Sequence, residues 1–112
     1  MTLYNVFAQY DEFTQNRIAQ LRMQKNVSAR EMSLAIGQNK SYINHIENKS
    51  ALPSLQGLFY ICEYFHITPQ DFFDEGNSDP ERLRELIADL KRLDDQTLAY
   101  IRGIVKELIE KK

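Results

Sequence analysis

Apolar residues recur along this chain at helical spacing, and no stretch alternates apolar and polar positions over a strand's length. From Gln15 to Lys25, Ile18 and Leu21 share a face, with Thr14 placed to cap the start and Asn26 to stop the end. Ser28-Ala29-Arg30-Glu31 has the spacing of a capping box, and Met32, Ala35 and Ile36 carry an apolar stripe that Gly37 closes after about two turns. Gly37 tolerates the positive φ of a tight turn, and Asn39 is positioned to cap a third helix, Lys40 to Asn48, with Ile43 and Ile46 facing inward. Ser54 after Pro53 opens a fourth helix, in which Leu55, Leu58, Phe59, Cys62 and Phe65 form the stripe. Thr68-Pro69 starts a short fifth helix holding Phe72 and Phe73.

Asp74-Glu75-Gly76-Asn77-Ser78 is the one linker-like stretch. Beyond it, Asp79-Pro80 begins a helix with Leu83, Leu86, Ile87, Leu90 and Leu93 on one side. Asp94-Asp95 then break the chain and cap a last helix bearing Leu98, Ile101, Val105, Leu108 and Ile109. Leu3, Phe7 and Tyr10 have helical spacing in a short N-terminal stretch. The pattern predicts an all-α fold in three parts: an N-terminal extension over 1–14, a five-helix domain over 15–75 and a C-terminal helical pair over 79–112.

The net charge of −2 argues mildly against nucleic acid, so its distribution matters. Phe13 to Pro53 holds six basic and two acidic residues, a net +4, whereas Glu63 to Lys112 holds twelve acidic and eight basic, a net −4. A basic front half can face phosphates while an acidic back half stays off them. One cysteine, Cys62, permits no internal disulfide, and with two histidines scattered along the chain no metal-ligand spacing arises; no metal and no cofactor are expected. No run of 18 or more apolar residues suits a membrane span, and MTLYNVFAQYDEF lacks the basic start of a secretory signal, so a cytoplasmic protein is expected. No nucleophile–base set, Gly-rich phosphate loop or carboxylate pair suggests an enzyme.

Two short helices joined by a glycine-containing turn define a helix-turn-helix. Arg17-Ile-Ala-Gln-Leu-Arg22, Ser28 to Gly37, Ser41-Tyr-Ile-Asn-His-Ile-Glu-Asn48, Pro53-Ser-Leu55 and Thr68-Pro-Gln-Asp-Phe-Phe73 together resemble the XRE family of phage-repressor-like transcription regulators. The resemblance covers about half the chain. It implies a lambda-repressor-like fold in which the third helix lies in the major groove of double-stranded DNA.

By that resemblance, Lys40, Ser41 and His45 read base edges, with Tyr42 and Asn44 nearby. Lys40 suits guanine O6 and N7, without the bidentate fork of an arginine. Gln38 and Asn39 are expected near phosphates at the start of the third helix, and Asn48 and Lys49 at its end. The family often has glutamine on phosphate immediately after the position of Ser28. Here Ala29 cannot make that bond, and Arg30 is the candidate for the same phosphate. Arg22 and Glu47 match positions that form an internal salt bridge, and Tyr42 has a competing role as a cover on the core. Cys62 reads as a buried core residue and His66 as a helix C-terminal one. Phe59, Tyr60, Tyr64, Phe65, Phe72 and Phe73 read as an aromatic core.

One such module covers too little DNA for high specificity, and family members usually dimerise on two half-sites. The stripes of 79–112 exceed what two helices bury against each other. A homodimer through this segment is therefore expected on a near-palindromic operator, acting as a repressor, with the aromatic N-terminus a further contributor. Two rivals stand beside it. One is an antitoxin whose tail neutralises a toxin. The other is a protein-binding regulator whose helix-turn-helix has lost DNA affinity.

Overall fold

A computed structural model describes residues 3–111, with side chains from Phe7 onward. Residues 1, 2 and 112, at the ends of the expected extension and helical pair, lie outside the described residues. Seven helices and no strand occur among the described residues: α1 (Leu3–Lys25), α2 (Ala29–Ala35), α3 (Tyr42–Glu47), α4 (Leu55–Tyr64), α5 (Pro69–Phe72), α6 (Pro80–Leu90) and α7 (Asp95–Glu110). The fold is all-α. The chain forms two compact units, Met1–Glu81 and Arg82–Lys112.

The first unit is built around Ile18, Leu21, Met32, Ile43, Ile46, Leu58, Ile61, Cys62, Phe65, Ile67 and Phe72, all buried. Each large apolar side chain removed from water contributes roughly 1.5–3 kcal/mol, so every helix from α1 to α5 is anchored by at least one of them. Caps fix where the helices start. Ser28 Oγ accepts from the Glu31 amide, Ser54 Oγ from the Gly57 amide, and Thr68 with Asp71 closes a full capping box. Left-handed residues fix where they stop: Asn26 after α1 (φ 60°), Gly37 after α2 (φ 75°), Lys49 after α3 (φ 73°) and His66 after α4 (φ 58°).

Four expectations need correcting. Thr14 does not cap a helix. It sits inside α1, where its hydroxyl donates to the Tyr10 carbonyl at 2.8 Å, because the Leu3, Phe7, Tyr10 periodicity runs continuously into the next stretch. Asn39 does not cap α3 directly: its Oδ1 accepts from the Ser41 amide, which forms a turn and delays the helix to Tyr42. In α4 the buried face centres on Leu58, Ile61, Cys62 and Phe65, while Leu55 (69% exposed) and Phe59 lie on its solvent edge. The aromatic core is smaller than expected: Phe65 and Phe72 are buried and Tyr64 is half-buried, but Phe59, Tyr60 and Phe73 are exposed.

The linker-like stretch is also less free than its composition suggests. Arg17, 3% exposed on α1, donates from Nε to the Phe72 carbonyl and from its terminal nitrogens to the carbonyls of Asp71, Asp74 and Asn77 and to Gln20 Oε1. Gln24 Nε2 donates to the Ser78 carbonyl at 2.7 Å. Phe13 stacks edge-on against Phe72, with the Arg17 guanidinium 5.9 Å above its ring. Burial lowers the Arg17 pKa, opposed by Asp74 and Asp71.

The second unit holds most of α6 and all of α7, joined over residues 91–94. Asp94 caps α7 by accepting from the Thr97 amide at 2.7 Å. Leu90, Thr97, Leu98 and Ile101 are half-buried, and no described residue of this unit is fully buried.

Candidate nucleic-acid interface

α2, the turn over residues 36–41 and α3 form the centre of the first unit. α3 is only six residues long and could not hold itself together in water. Its inner face supplies Ile43 and Ile46, both 0% exposed. Its end is closed by the Ser50 and Ala51 amides, which donate to the His45 carbonyl, and by Asn48 Oδ1, which accepts from the Ser50 amide.

The tie between α1 and α3 is a bidentate ion pair. Arg22 Nε donates to Glu47 Oε2 at 2.7 Å and a terminal nitrogen donates to Oε1 at 2.9 Å, while the other terminal nitrogen holds the Val27 carbonyl. The two side chains are 20% and 14% exposed, and the hydrogen bond to Glu47 raises the Arg22 pKa despite its burial. Both groups are therefore committed to the scaffold.

Solvent-facing groups line the other side of this segment. Lys40 and Asn39 are exposed in the turn before α3, and Gln38 is half-buried there. Ser41 is half-buried at the N-cap position. Asn44 and His45 are exposed on α3. Asn48 and Lys49 are exposed after it, and Arg30 is exposed on α2.

Tyr42 is half-buried against the core, and burial raises its hydroxyl pKa. Its hydroxyl lies over Gly57, where an added Cβ would come within 2.5 Å of it. The ring thus covers the core while staying partly open to solvent.

Three side chains that the sequence reading did not single out also shape this surface. Asn16 on α1 is exposed and its Oδ1 accepts from Lys49 Nζ. Gln15 is buried and donates to the Ala51 carbonyl at 3.0 Å, holding the loop after α3. Ser33 is buried between α2 and α3 and bonds both. Asn16 and Gln15 precede Ile18 on α1 and, in sequence, resemble any polar helix surface. Ser33 carries a readable signal, a hydroxyl directly beside the inward-facing Met32.

Residues 18–72 match the helix-turn-helix family. The chain belongs to the XRE family of helix-turn-helix regulators. The matched span runs from the buried Ile18 to the buried Phe72, the two ends of the core just described. The family is a DNA-binding one concerned with transcription, not an enzymatic one. No curated protein and no solved structure is similar enough to the chain to count as a match. Among the described residues of this XRE-family protein no His, Cys, Asp and Glu side chains gather as a metal site, and no helix is long and apolar enough to cross a membrane. Cys62 is 2% exposed, and burial pushes its thiol up to about 11, which keeps it protonated and unreactive at neutral pH.

Proposed function

We propose that this XRE-family protein is a cytoplasmic transcriptional repressor that binds a near-palindromic duplex as a dimer, with α3 in the major groove. The observation that carries the reading is the two-sidedness of α3: Ile43 and Ile46 are wholly buried, while Asn44 and His45 on the same helix, and Lys40 in the turn before it, stand exposed. Lys40, Ser41 and His45 read base edges, with Asn44 and Tyr42 beside them. Gln38, Asn39, Arg30, Asn48 and Lys49 hold phosphates, and Asn16 joins Lys49 in doing so. Two copies pair through residues 79–112, and a bound dimer represses by occluding the promoter. In support of pairing, Leu86, Tyr100, Ile104, Val105, Leu108 and Ile109 are 48–65% exposed in one small unit, a density of apolar surface that soluble monomers rarely leave uncovered.

Selection of bound duplexes from a random library tests the reading. Binding to the selected duplex should weaken with salt on a log–log slope of about −5 to −9, for roughly six to ten neutralised phosphates. Lys40→Ala and His45→Ala should each lower affinity for the selected duplex by about 1–3 kcal/mol, and affect a shuffled duplex far less. Lys49→Ala should weaken both duplexes alike. Identical behaviour of all three variants would sink the assignment of α3, and a flat salt response would favour a protein-binding role.

A further inference from the structure

The first turn of α3 is satisfied from outside the helix. Ser41 stands at its N-cap position with φ −100° and ψ 3°, and its side chain makes no capping hydrogen bond. The Tyr42 amide is taken by the Asn39 carbonyl at 3.0 Å. The next donor, the Ile43 amide, is buried, and Ser33 Oγ on α2 accepts it at 3.0 Å. Ser33 is 0% exposed, and its hydroxyl donates to the Ala29 carbonyl at 2.7 Å. A serine hydroxyl has one proton, so its commitment to Ala29 turns the lone pairs toward Ile43. The bond to Ala29 orients the hydroxyl, and the hydroxyl in turn orients α3.

We propose that Ser33 is a positioning residue for DNA reading: it caps the reading helix from α2 and sets the angle at which Lys40, Ser41 and His45 meet base edges. The inference rests on the assignment of α3 as the reading helix. Removal of the hydroxyl strands a buried amide, which the fold relieves only by shifting or opening the first turn of α3. Lys40 and Ser41 lie directly upstream of that turn and move with it. His45 follows, because its amide is bonded to the Ser41 carbonyl. Base-edge contacts demand fixed geometry, whereas phosphate contacts tolerate small displacements. Loss of the cap therefore lowers discrimination more than it lowers binding.

The test uses full-length protein, a duplex selected by the wild type and a shuffled duplex of equal length. Ser33→Ala should reduce the ratio of the two affinities about tenfold, the effect of one buried hydrogen bond, with binding to the shuffled duplex nearly unchanged. Amide exchange at Ile43 should accelerate while Ile18 and Ile61 keep their protection. An unchanged ratio, or equal loss on both duplexes, overturns the proposal. If Ser33→Ala fails to fold, Ser33→Cys keeps the volume with a much weaker acceptor, and the same ratio decides. If the wild type selects no duplex, the DNA-reading assignment falls by itself. Exchange at Ile43 in the wild type then judges the cap: protection no greater than at the exposed Asn44 overturns it.

Discussion

Arg22 and Glu47 illustrate how a charged residue in a helix-turn-helix serves structure and not the ligand. Each accounts for the other's polar atoms through two short hydrogen bonds, and Arg22 also holds the Val27 carbonyl. The pair is partly shielded, so its loss lies between the small effect of a surface ion pair and the large one of a buried pair. Arg22→Ala should cost about 2 kcal/mol in urea unfolding, because it leaves Glu47 half-buried without its partner. Replacing both with apolar residues of similar volume should recover much of that loss. These two residues stand out in the sequence through a family resemblance. Arg17 also falls within the resembling stretch, but its burial does not show there: it follows Asn16 on what reads as a polar helix surface, yet it is more buried than Leu21. Four of its five acceptors are backbone carbonyls, and a carbonyl has no sequence signature. For Ser33 the place beside Met32 is legible but the role is not, since its acceptor and donor partners are both main chain.

Among the elements, helix starts are the most readable feature. Ser28, Ser54, Thr68 and Asp94 all cap where their spacing indicates, because the chemistry of a cap is local. Thr14 and Asn39 mislead because a side chain with the right oxygen has other local options, a carbonyl one turn back or an amide two residues on. The inward face of α4 is narrower than its periodicity indicates, since Leu55 and Phe59 fit the helical period but nothing in the first unit covers them fully.

Asp94 gives α7 a pH dependence. Hydrogen bonds from Thr97 hold its carboxyl below the ordinary value of 3.8, so the charged form belongs to the folded helix. The cap is therefore fully present above that value and is lost as pH falls through the lower, folded one. Circular dichroism between neutral pH and pH 2 should show an acid-range loss of helix that Asp94→Ala reduces, the variant being less helical at neutral pH already.

At the scale of the molecule, the uncovered residues of the second unit matter most. A helical unit with no fully buried residue among those described has little core of its own, which fits an element completed by a second copy. Val105→Glu and Leu108→Glu place charge in the middle of that apolar surface. Light scattering should report a dimer for the wild type and a monomer for either variant at tens of micromolar. A monomeric wild type would end the pairing hypothesis. Monomeric variants should still bind a single half-site, at affinity reduced by the loss of the second.

The Arg17 clamp bears on where this chain's first unit can be cut. The helix-turn-helix match ends at residue 72, which would invite a graft directly after α5. Arg17 and Gln24 continue their bonds through Asp74, Asn77 and Ser78, and Pro80 is itself buried. The folded unit of this chain thus runs nearly ten residues past the end of the family match. A chimera joined at residue 73 would leave an arginine in the first helix with two of its five acceptors gone, and one joined after Glu81 would inherit a complete domain.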